Sequence, residues 1–161
     1  MPNISAPNFG ELLAEHLSGV PQTAYPYLLS ELERTAAARY RVWAQEVPEH
    51  AQGLLDCADR EDEIANRVAA LFPPSPEHRA LVATIIPRAK ATYYSAFEPF
   101  NPLEQITIQA NAERQGANAW QNLKAAHPEH ADALDQLSAI ELMSADYLDS
   151  MLAEEAKLLA G

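Results

Sequence analysis

Apolar residues recur every three or four positions along most of the chain, the spacing of helices that bury one stripe. Over residues 26–47 the stripe is Leu29, Leu32, Ala36, Tyr40, Trp43 and Val47, and Pro48 ends it. The next stripe holds Leu54, Ala58, Ile64, Ala65, Val68 and Phe72, so Pro48 marks a short joint and opens the following helix at its first turn. A third stripe runs through Leu103, Ile106, Ala110, Ala117 and Trp120; a fourth, beyond Pro128, runs through Leu134, Leu137, Leu148 and Leu152. Short joints force neighbouring helices antiparallel, which predicts two helical hairpins, over 26–72 and 102–155. Residues 73–101 between them are too many for a plain turn. Ser75-Pro76-Glu77 reads as a cap and first turn, Pro87 as an interruption, and Asn101-Pro102 with Glu104 as the start of the third long helix. We expect a crossover of one or two short helices there and a short leading helix over residues 8–18, all within a single domain, 1–161.

The two hairpins match each other. At an ungapped offset of 80, residues 28–72 align with 108–152: Glu33-Arg34 meets Glu113-Arg114, Tyr40 meets Trp120, and Pro48-Glu49-His50-Ala51 meets Pro128-Glu129-His130-Ala131. Leu54, Glu61 and Ala65 meet Leu134, Glu141 and Ala145. The four-residue block, in register with the rest, argues for an internal duplication.

Four glutamates fall inside the apolar stripes. Glu33 lies four after Leu29 and seven before Tyr40; Glu61 lies three after Ala58 and seven before Val68. Glu113 and Glu141 hold the corresponding places three after Ala110 and four after Leu137. Each pair is 28 residues apart with the joint midway, so folding a hairpin brings both carboxylates to one height. A charged, unpaired carboxylate in a helix core costs several kcal/mol. Compensation by a metal, by protonation, by Arg34, Arg60 or Arg114, or by water is therefore required.

This pattern resembles the ferritin-like superfamily, of the rubrerythrin and ferritin type. The resemblance implies an all-α, four-helix bundle of two antiparallel hairpins with a long crossover. It further implies a dinuclear iron or manganese centre on Glu33, Glu61, Glu113 and Glu141. In that family the second helix of each hairpin supplies Glu-x-x-His, but here Ile64 and Ser144 stand where the histidines belong. His50 and His130 lie eleven residues upstream of Glu61 and Glu141, about 16 Å along a helix. The expectation is thus a reduced or degenerate carboxylate centre, holding a metal pair, a single hard divalent cation or none, in a metal-binding, stress-related or scaffold protein. The alternatives are a di-iron oxidase or peroxidase of the rubrerythrin kind and a non-metal helical interaction module. Bundles of this family suggest a homo-oligomer, a dimer first.

Composition narrows the partners. With 23 acidic against 11 basic residues and a formal charge of −12, the chain is unsuited to neutralising phosphates, and no nucleic-acid partner is expected. No stretch reaches the length of a membrane span, and the opening residues show neither a basic nor an apolar leader segment. The single Cys57 fits a reducing compartment and small-hydrophobe packing, so a cytoplasmic location is expected. The same packing role is expected of Tyr40 and Trp120.

Overall fold

A computed structural model describes residues 4–161; the first three residues of the leader reading lie outside it. The described residues form seven α-helices and three short 3-10 turns, with no strand. Helices α1 (Phe9–Leu12) and α2 (Ala14–Leu17) lead into α3 (Tyr25–Glu46) and α4 (Ala51–Leu71); α5 (Pro76–Ser95) then precedes α6 (Pro102–Leu123) and α7 (Ala131–Ala160).

The expected punctuation operates at the starts. The Ser75 side chain accepts from the His78 N–H at 3.1 Å, and Asn101 accepts from the Glu104 N–H at 2.9 Å, each satisfying a donor that the first helical turn leaves free. The joints differ from expectation: Pro48 and Pro128 each open a 3-10 turn, and the following helix begins only at Ala51 or Ala131. The two joints follow one backbone course, Val47 at φ −126°, ψ 68° and His127 at φ −133°, ψ 60°.

The crossover is one 20-residue helix rather than one or two short pieces. Pro87 does not break it because Pro87 and Ala83, whose carbonyl loses its helical donor, both face solvent, where water serves that carbonyl. The leading helix is instead split at Leu13, which turns inward and is buried beside Phe9. Helix α7 runs on past residue 155, ending with Leu158 and Leu159 exposed.

Four long helices surround one interior. Helix α3 packs on α4, α4 on α7 and α7 on α6. The ring closes through side chains, with the Tyr40 hydroxyl reaching Glu113 and the Trp43 indole reaching Gln105 across α3 and α6. Pairs such as Arg60–Ser144 and Arg67–Gln136 show α4 and α7 antiparallel, as are α3 and α6. Helix α5 is pinned outside α3 by aromatic contacts: Trp43 to Phe97 at 5.6 Å, Phe97 to Tyr93 at 5.1 Å and Tyr93 to Phe9 at 5.4 Å.

The interior is not one continuous apolar mass. One cluster contains Tyr40, Trp43, Leu54, Ile106, Leu148 and Met151; a second contains Ile64, Val68, Trp120, Leu134 and Leu137. Along α4, α6 and α7 the glutamate falls between residues of the two clusters, and on α3 Glu33 lies between Leu29, which packs against the second cluster, and Ala37 of the first.

Candidate metal centre

The expected carboxylates meet. Glu61, Glu113 and Glu141 are each 1% exposed, and Glu33 joins them at depth while keeping solvent contact along a cavity. One oxygen each from Glu33, Glu61 and Glu141 lie within 4.8 Å of one another. The Glu33, Glu61 and Glu141 carboxyls thus face one another closely enough to act on each other's protonation, with Glu113 beside them.

Burial, with Glu113, Glu141 and Glu33 facing it, holds the Glu61 carboxyl well above the usual range. Burial does the same to Glu141, helped by Glu33 and Glu113. Glu33 is raised by burial too, against the opposing effect of hydrogen bonds with Glu61 and Glu141. Without a cation, Glu33, Glu61 and Glu141 therefore hold protons more tightly than solvated carboxylates do.

Glu113 is fastened differently. Its Oε1 accepts from the Tyr40 hydroxyl at 2.6 Å and from Gln109 Nε2 at 2.9 Å, while Tyr93 donates to Gln109 at 2.5 Å. Glu141 Oε1 accepts from the Trp120 indole at 3.1 Å. Tyr40 and Trp120, equivalent positions of the two hairpins, pack in the core as expected and in addition are the donors that orient two of the glutamates. Their alignment at the 80-residue offset was the available signal. Gln109 and Tyr93 carried no sequence signal, since a buried amide and a tyrosine in the crossover meet only through tertiary packing.

Two oxygens remain buried without a hydrogen-bond partner, Glu61 Oε1 and Glu113 Oε2. The arginines do not serve them. Arg34 pairs with Asp62 and Glu31, and Arg114 with Asp149, all at the surface. Arg60 points the other way, donating from Nε to Ser144 Oγ at 2.9 Å and from a guanidinium N–H to Cys57 Sγ at 3.2 Å. Ser144, at the expected histidine position, is thus an anchor for Arg60, and Ile64 is fully buried in the second apolar cluster. No histidine among the described residues lines the cavity. His50 bonds Glu155 on α7 at 2.9 Å, His16 bonds Thr92, and His127 and His130 flank Phe72.

Gly116 makes room for the centre. A Cβ there would stand 3.0 Å from the Glu141 carboxyl carbon and Oε1. A cavity of ≈ 420 Å³ extends from the carboxylates between α3 and α6, where the leading segment covers it. Gln115 holds that segment by accepting from the Phe9 N–H and donating to the Pro7 carbonyl, each at 2.8 Å.

The donors fit a hard cation. Oxygens sharing one ion at about 2.0–2.6 Å stand no more than about 5 Å apart, as the three ligand oxygens do. Comparison with known proteins finds no matching family model, curated protein or solved structure. No helix of the described residues is long and apolar enough to cross a membrane.

Proposed function

We propose that this chain is a ferritin-like bundle protein whose buried carboxylates bind a hard divalent cation. The observation that carries the reading is the convergence of Glu33, Glu61 and Glu141, with Glu61 Oε1 and Glu113 Oε2 orphaned beside them. A cation would relieve both the mutual repulsion and the orphaned oxygens. The architecture is supported by the two antiparallel hairpins, the long crossover helix and the like course of the two joints. Duplication is supported by the Glu33/Glu113 and Glu61/Glu141 matches at one offset.

An all-oxygen donor set suits Mg²⁺, Ca²⁺ or Mn²⁺. Glu33, Glu61 and Glu141 would hold the ion, and Glu113, tied through Oε1 to Tyr40 and Gln109, would present Oε2 beside it. Since Ile64 and Ser144 replace the histidines, we favour cation holding over oxidase or peroxidase chemistry. The test is metal content after incubation with Mn²⁺ or Fe²⁺ and desalting. About one ion per chain is expected, lost in Glu61→Gln; absence of retained metal in the unmodified protein sinks the proposal. Iron-dependent oxygen consumption abolished by Glu61→Gln would favour the di-iron enzyme instead.

A further inference from the structure

The carboxylates use only the inner end of the cavity. At about 30 Å³ per water, an ion with a few waters leaves most of the ≈ 420 Å³ free. The rest of its wall includes Leu13 and Leu17 of the leading segment, Leu29 and Leu32 of α3, and Ala112 and Ala119 of α6, with the uncharged amides of Asn8, Gln109 and Gln115 among them. Among the described residues, no lysine, arginine or histidine lines it. Asn118 and Asn122 stand exposed at its rim. A passage with acidic groups, leucine and alanine side chains and no basic group disfavours anions, and a bare ion makes no use of its apolar side chains.

We propose that this cavity binds an organic cation, a short primary alkylammonium ion, with its head on Glu33, Glu61 and Glu141 and its chain along the leucines. An ammonium carries three N–H donors, and three carboxylates are placed to accept them. Acceptors about 2.8 Å from a tetrahedral nitrogen stand about 4.6 Å apart, compatible with the 4.8 Å limit on the ligand oxygens. Glu61 Oε1, buried and unpartnered, is the free acceptor at the end of the passage. The alkyl chain removes apolar wall from water, which a metal ion does not. Ammonium and metal compete for the same oxygens, yet the ammonium site does not depend on the metal reading.

Calorimetry on chelator-treated protein tests this with n-butylammonium chloride, n-butanol and sodium butyrate. The ammonium is expected to bind one per chain, at least tenfold tighter than the alcohol, with no binding of butyrate. Glu61→Gln is expected to weaken the ammonium at least tenfold. Ala119→Phe, or Leu29→Phe if the first fails to fold by circular dichroism, fills the passage; it is expected to block the ammonium while leaving Mn²⁺ binding intact. Equal binding of alcohol and ammonium, no ammonium binding, or undiminished binding in the filled variant overturns the proposal. Mn²⁺ titrated separately keeps the readings distinct: Mn²⁺ without ammonium binding overturns this one alone, and ammonium without Mn²⁺ binding overturns the cation centre alone.

Discussion

Glu61 is the most isolated of the four carboxylates, with one oxygen orphaned and three acidic neighbours. Glu61→Gln removes a buried ionisable group and supplies amide donors to acceptors already present. We expect the metal-free variant to be more stable than the parent at neutral pH by about 1–3 kcal/mol, measured by urea denaturation with chelator present. The raised carboxyls also set a pH dependence. Glu33, Glu61 and Glu141 bind protons more tightly folded than unfolded, so their contribution is complete below the unfolded value of 4.5 and is lost as pH rises through the higher folded values. Metal-free protein is thus expected to melt at a lower temperature at about pH 8 than at about pH 5, the reverse of the salt-bridged carboxylate case. Cation affinity runs oppositely and rises with pH, because protons and metal compete for the same oxygens. Cys57 is buried and its thiol is pushed up to about 11 by desolvation, despite Arg60 alongside. Alkylation of Cys57 at neutral pH is expected only on unfolding, which mass spectrometry with and without denaturant will show.

Two glycines show how helices are matched to each other. In α6, alanine at 116 gains about 1 kcal/mol of helix propensity, but its Cβ meets the Glu141 carboxyl at 3.0 Å. Gly116→Ala is expected to leave stability unchanged or higher while weakening Mn²⁺ at least tenfold, read by titration calorimetry. In α4, a Cβ at Gly53 would fall 2.0 Å from the Tyr147 ring on α7, whose hydroxyl donates to the His50 carbonyl at 3.3 Å. Gly53→Ala forces that ring out, and a loss of about 1–3 kcal/mol is expected by thermal melting. The equivalent pair at the 80-residue offset is Ala133 with Arg67, where the long side chain reaches Gln136 instead and a Cβ is accommodated. Element positions were legible because prolines and caps punctuate them; the unbroken α5 was not, because only the tertiary fold reveals that Pro87 lies on a solvated face.

The polar layer between two apolar clusters makes the molecule depend on what fills its centre. A cation that binds only the folded form at a hundred times its Kd adds about 2.7 kcal/mol, or about 5–10 °C of melting temperature for a chain of this size. Mn²⁺ is expected to give that rise in the unmodified protein and none in Glu33→Gln or Glu61→Gln, followed by calorimetric melting. From the sequence alone came the four long helices α3, α4, α6 and α7, the antiparallel pairing within each hairpin and the common level of the two glutamates in each, since helical period and joint length determine both face and height. How each carboxylate is served follows from packing across the bundle. Tyr40 reaches Glu113 and Trp120 reaches Glu141, Arg60 turns away to Ser144 and Cys57, and one side between α3 and α6 stays open. Those are contacts between residues far apart in the chain, and their partners are selected by packing in three dimensions rather than by spacing along one helix.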